Sequence, residues 1–181
     1  MIDATIAKAR ARLKREVMDI EKRTDLTDEQ KVSQIIVIFS TVCAAIAVQP
    51  IPFADMFILT PLQAFMGERI SAIRGVPLSE KQAADLIKEL MGVVGMGMVA
   101  QQLGIAAAKI FFPIFGGIAT VPVVFGLTYA IGKVMDVYFV AKAVGRKVTK
   151  EELKDAWKKA KSKGQQEGKQ RESEIKREKL G

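Results

Sequence analysis

The chain has 181 residues, of which 49% are hydrophobic and 27% charged, with a net charge of +8, one cysteine and no histidine. That is enough apolar material for one sizeable core. It excludes an internal disulfide and a cysteine-based metal cluster, and it removes the side chain most used for proton transfer and metal ligation near neutral pH. The charge is segregated: residues 1–34 carry eight Lys/Arg against seven Asp/Glu, and residues 133–181 carry fifteen against eight. Most of the positive excess therefore lies in the C-terminal quarter.

From Met1 to Arg23, apolar residues at Ile2, Ile6, Ala9, Leu13, Val17 and Ile20 recur every three or four positions. This predicts a charged helix with one apolar stripe that needs a partner surface. The stretch "TDLTD", Thr24 to Asp28, interrupts it, and Thr27 with Gln30 forms a capping-box pattern that opens a second helix near Asp28. The first apolar run begins only at Ile35, after this mixed-charge segment, which does not fit a secretory signal.

Ile35 to Ala54 carries no formal charge over twenty residues, a length that suits a membrane span. Pro50 and Pro52 interrupt it. Because Pro50 lacks an amide hydrogen and restricts Gln49, the straight helix is expected to stop there, leaving about fifteen residues or roughly 22 Å, short of the roughly 30 Å hydrocarbon layer. Asp55 is placed to cap a returning helix that stops at Gly75, with Pro61 kinking it or resetting its start. Ser79 and Gln82 then cap a further helix, which leads into a glycine-containing stretch with Gly92, Gly95, Gly97 and Gly104. Each such glycine costs about 1 kcal/mol relative to Ala inside a helix. Close helix packing is the expected compensation.

A second uncharged region, Ile110 to Gly132, is broken by Pro113, Gly116, Gly117 and Pro122. "PIPFADMFILTPLQAFMGER" and "PIFGGIATVPVVFGLTYAIGK" share a plan of Pro-Ile, a later proline and a Gly beside a charge, which suggests a duplicated helical hairpin. The helix is expected to continue past Gly132, and Thr149 to cap a basic helix containing Trp157, Lys158, Lys159, Lys161 and Lys163. From Gly164 the sequence reads as a solvated, frayed or disordered tail.

These patterns divide the chain into a charged amphipathic helix (1–32), an apolar helical-hairpin domain (33–145), a basic helix (146–163) and the tail (164–181). The fold class is all-α, a membrane-associated helical bundle built around two apolar hairpins with Pro/Gly tips. Asp55 closes the first tip as a cap, or pairs with Lys109 at the second as a buried ion pair. Trp157 and the four lysines beside it suit a membrane-surface contact. Cys43, in an apolar run without a basic neighbour, reads as an inert thiol. No nucleophile–base set and no phosphate-binding glycine loop is present, so neither enzymatic activity nor a cofactor is expected.

On Pro50, Pro52, Asp55, Gln63, Gly75, Lys109, Pro113, Gly116, Gly117, Thr128, Gly132, Tyr138 and Phe139, over roughly Ser33 to Ala141, the chain resembles a bacterial membrane-associated domain family of unknown function. Members of that family are often attached to, or encoded beside, GTPase domains. The resemblance implies an all-helical module serving a GTPase partner supplied in trans. The expectation is thus a non-enzymatic anchoring or remodelling accessory at the cytoplasmic membrane, with both termini cytoplasmic, contacting lipids and forming a homo-oligomer. A soluble helical-bundle adaptor, or a small pore or transporter using Asp55 and Lys109, are the alternatives. Nucleic acid is not an expected partner.

Overall fold

The computed structural model describes residues 2–47, 59–95 and 120–177. Its elements are α1 (Ile2–Lys22), α2 (Asp28–Ala47), α3 (Thr60–Ile73), α4 (Glu80–Val93), α5 (Thr120–Ala143), α6 (Lys150–Gln170) and the short α7 (Glu172–Arg177). The fold is all-α, with no strand among the described residues. Pro50, Pro52, Asp55, Gly97, Gly104, Lys109, Pro113, Gly116 and Gly117, and with them both expected hairpin tips and the Asp55–Lys109 pair, lie outside the described residues.

Helix starts follow local chemistry. Thr27 Oγ1 accepts from the Gln30 amide at 3.2 Å while the Thr27 amide donates to Gln30 Oε1 at 2.9 Å, so two otherwise orphaned donors at the head of α2 are satisfied. Ser79 with Gln82 opens α4 in the same way, and Thr149 with Glu152 opens α6. Pro61 sits in the first turn of α3, where its missing amide hydrogen costs no helix bond.

Two of these junctions are copies of one turn. At the end of α3, Gly75 takes φ +75° and Val76 donates to the Ser71 carbonyl at 3.0 Å. At the end of α5, Gly145 takes φ +69° and Arg146 donates to the Ala141 carbonyl at 2.9 Å. Both are six-to-one helix ends that require a left-handed residue. Each is followed by three residues, then a hydroxyl N-cap and a capping box, Ser79 in one case and Thr149 in the other. The hairpins α3–α4 and α5–α6 are therefore joined alike.

Cross-helix contacts fix the directions. Lys31 and Arg69 both reach Glu21, so the start of α2 and the far part of α3 meet the end of α1. Phe39 packs edge-on against Phe65 at 5.5 Å, and Gln63 reaches Thr128. Helix α3 thus runs back along α2, and α5 runs beside α3, where Arg74 meets Asp136. The core is made from the stripe Ala9, Leu13, Val17 and Ile20 of α1, most of α2, and Phe125, Tyr129, Met135 and Phe139 of α5. Removing these from water is the main favourable term.

The region from Gly164 onward corrects the expected tail. Helix α6 continues to Gln170 and α7 follows, with Gly164, Gly168 and Ile175 buried. A glycine contributes no side chain to a hydrophobic pattern, so a face made of Gly164 and Gly168 looks like an absence of packing when it is a seat for another helix.

Candidate functional site

Helices α2 and α5 are the two described helices long and apolar enough to cross a membrane, with mean hydropathies of 1.6 and 1.5. Their charges are not evenly spread. Helix α2 has no formal charge from Val32 to Ala47, α3 none from Thr60 to Gly67, and α5 none from Thr120 to Gly132. Because α3 is antiparallel to α2 and parallel to α5, these three runs gather at one end of the inner bundle, and Lys31, Arg69, Arg74 and Asp136 gather at the other. At 1.5 Å per residue, the runs in α2 and α5 extend roughly 24 and 20 Å. Each falls short of the roughly 30 Å hydrocarbon layer.

Within the described part of the uncharged half, Ser40 and Thr41 donate back to carbonyls of their own helix, and one side-chain hydrogen bond links α3 to α5. Gln63 Nε2 donates to Thr128 Oγ1 at 3.2 Å, and Thr128 is fully buried. Satisfying a hydroxyl in an apolar setting avoids a desolvation cost of about 1–3 kcal/mol. Cys43, also buried, carries a free thiol. Among the described residues no three His, Cys, Asp or Glu side chains gather to hold a metal.

The charged half is closed by ion pairs that link distant segments. Arg74 donates to both carboxylate oxygens of Asp136, at 2.7 and 3.2 Å, with the two side chains only 15% and 13% exposed. Arg69 does the same to Glu21, at 2.8 and 2.6 Å, joining α3 to α1. Arg10 pairs with Glu80 and lies 5.2 Å over the Phe65 ring, joining α1 to α4. Fork-on-fork geometry makes such pairs directional as well as attractive. An open groove between α1 and α3 is lined by the paired Arg10 and Glu80, the paired Glu21 and Arg69, and also by Lys14 and Glu68. These pairs were not expected from the sequence. The available signal was Asp136, the single acidic residue of α5.

Helix α6 is the outer wall of this core. It lies close along α5, an approach made possible by missing side chains. A Cβ on Gly164 would stand 2.8 Å from Tyr129 Cβ and 3.0 Å from Gly126 Cα, and one on Gly168 would stand 2.8 Å from Phe125 Cβ and 3.0 Å from Pro122 Cα. The seat covers Pro122, Phe125, Gly126 and Tyr129, which belong to the uncharged half of α5.

Glycine packing thus occurs elsewhere than expected. No described residue comes within 4 Å of a Cβ built on Gly92 or Gly95, and Gly95 takes φ +88° as a helix terminator. The packing glycines are Gly126, Gly164 and Gly168 between α5 and α6, Gly67 against Met135, and Gly132 against Ile36. The spacing of four between Gly164 and Gly168 was the legible clue. Trp157 also departs from its expected place at a membrane surface: it is 8% exposed and part of the core, because its position in α6 lies on the same face as Leu153 and Ala160. Lys158, Lys159 and Lys163 project outward, and Lys161 is half-buried.

No curated protein and no solved structure matches the chain. A family model does match, over residues 12–166, from the middle of α1 through most of α6. On that match, which takes in the core, the paired junctions and Gly164, the chain belongs to the family described as Domain of unknown function (DUF697).

Proposed function

We propose that this protein is a non-enzymatic, membrane-associated helical module that anchors or remodels the cytoplasmic membrane as an accessory to a GTPase-type partner. The observation that carries the reading is the gathering of the uncharged runs of α2, α3 and α5 at one end of the inner bundle. Charges are expensive in hydrocarbon, so an end without them is the end that can enter a bilayer. Runs of roughly 20–24 Å suit partial entry. The Lys/Arg-rich flanks support a cytoplasmic side for both termini, and the outward lysines of α6 suit lipid headgroups. The GTPase partner in trans rests on the family resemblance, and self-association on the glycine faces at Gly92 and Gly95, which no described residue approaches within 4 Å.

A second reading, a soluble helical adaptor, is favoured by one observation: no residue of α2 from Lys31 to Ala47, and none of α5 from Val121 to Phe139, is fully exposed. Helices apolar all round are buried in protein as well as in lipid. Fractionation decides between the two. The membrane module stays in the pellet through high salt and carbonate; a pool found only in the soluble fraction refutes it and establishes the adaptor.

A further inference from the structure

Helix α6 has two faces of opposite character. Between Lys154 and Lys169 it carries six lysines, at 154, 158, 159, 161, 163 and 169, and only two acids, Asp155 and Glu167. Glu167 is engaged with Arg171, and none of the six lysines forms an ion pair with a described residue. Five of the six are exposed. The opposite face holds Leu153 and Trp157 near the start of the helix, but beyond Lys159 its buried residues facing α5 are Ala160, Gly164 and Gly168, with the half-buried Gln165 lying against Gly126. Burial of side chains is what gives a helix its grip. The later half of α6 therefore has little, and its next apolar anchor is Ile175 on α7.

We propose that α6 is a detachable cover, least firmly held over its later half, drawn off α5 when its lysine face engages anionic phospholipid. This rests on the membrane reading above and names the lipid class and the step that precedes entry. In water the cover is favoured, since removing it would expose Pro122, Phe125 and Tyr129. At a bilayer the same residues find hydrocarbon, so only there does the open form gain over the closed one. The turn around Gly145, followed by the capped start of α6 at Thr149, supplies the pivot. Lysines without an arginine or an outward aromatic among them are point charges suited to a headgroup layer; base stacking and bidentate phosphate readout would call for the missing types.

Trp157 is the only tryptophan and sits at this seam, so the native chain carries its own reporter. Full-length protein is mixed with vesicles of brominated phosphatidylcholine, alone or with phosphatidylglycerol. Sedimentation then measures binding, and quenching of Trp157 measures entry. Binding and quenching are expected only with the anionic vesicles. Changing Lys158→Gln and Lys159→Gln should weaken partitioning by about fivefold for each charge. Ile175→Ala, which loosens the anchor, should increase quenching at equal binding. Quenching that is unchanged by Ile175→Ala overturns the cover while leaving the membrane reading standing. Failure to bind any vesicle overturns both, and a preference for DNA over anionic vesicles overturns the lipid assignment.

Discussion

Replacing Gly164 with alanine sets two opposed effects against each other. The methyl group favours the helix by about 1 kcal/mol through the unfolded chain and backbone. In the folded state it would stand 2.8 Å from Tyr129 Cβ and 3.0 Å from Gly126 Cα, neither of which is a flexible chain end. Carbon atoms prefer about 3.5–4.0 Å, so α6 must withdraw by roughly 1 Å. Overpacking of this kind costs about 1–3 kcal/mol, leaving a net loss of about 0–2 kcal/mol. Gly168→Ala meets Phe125 and Pro122 in the same way. Because one withdrawal of the helix relieves both contacts while the helix preference is gained twice, the double variant should lose no more than the worse single one. Gly92→Ala, where nothing lies within 4 Å, is the control and should gain up to about 1 kcal/mol. Urea unfolding followed by Trp157 fluorescence and far-ultraviolet dichroism measures all four, with about 2–4 °C of Tm per kcal/mol as a cross-check. Should Gly164→Ala gain stability as Gly92→Ala does, or the two losses add, the close seat between α5 and α6 is refuted.

Two further outcomes follow from the polar links. Arg74→Met strands Asp136 in a site where only 13% of its side chain meets solvent, and should cost about 2–4 kcal/mol; the pair Arg74→Met with Asp136→Leu should recover most of that in the same urea assay. Equal losses in the single and double variants would remove the ion pair as the cause. Glu152 is held below its ordinary value of 4.5, first by the Thr149 amide and then by Arg146. Its folded value lies below its unfolded one, so the stabilisation is present above pH 4.5 and is lost as pH falls through the lower folded value. Amide protection at the head of α6, taken as the ratio of intrinsic to observed exchange rate at each pH, should therefore fall on acidification below that point, and Glu152→Gln should flatten the response.

The legible parts of this molecule are those written within a few residues. Thr27 with Gln30, Ser79 with Gln82 and the hydroxyl of Thr149 announce helix starts because cap and partner are three positions apart. Gly75 announces a stop, and Ala9, Leu13, Val17 and Ile20 announce a stripe, for the same reason. Arg74 and Asp136 are 62 positions apart, and nothing local links them. Trp157 shows another limit. Its apolar ring beside a run of lysines reads as an interfacial anchor until the partner helix is known, and only α5 turns it inward. The glycines failed for an energetic reason: a penalty of about 1 kcal/mol each marks them as costly wherever they stand, and only the neighbour's distance reveals which ones are compensated.

The order of synthesis gives the seam between α5 and α6 a clock. The ribosome releases α5 first, and at about 5–20 residues per second the stretch 144–177 follows over roughly 2–7 s. Until then Pro122, Phe125 and Tyr129 have no glycine face to rest on. Whatever meets the helix in that interval meets it bare, and once α6 is seated those three side chains are covered.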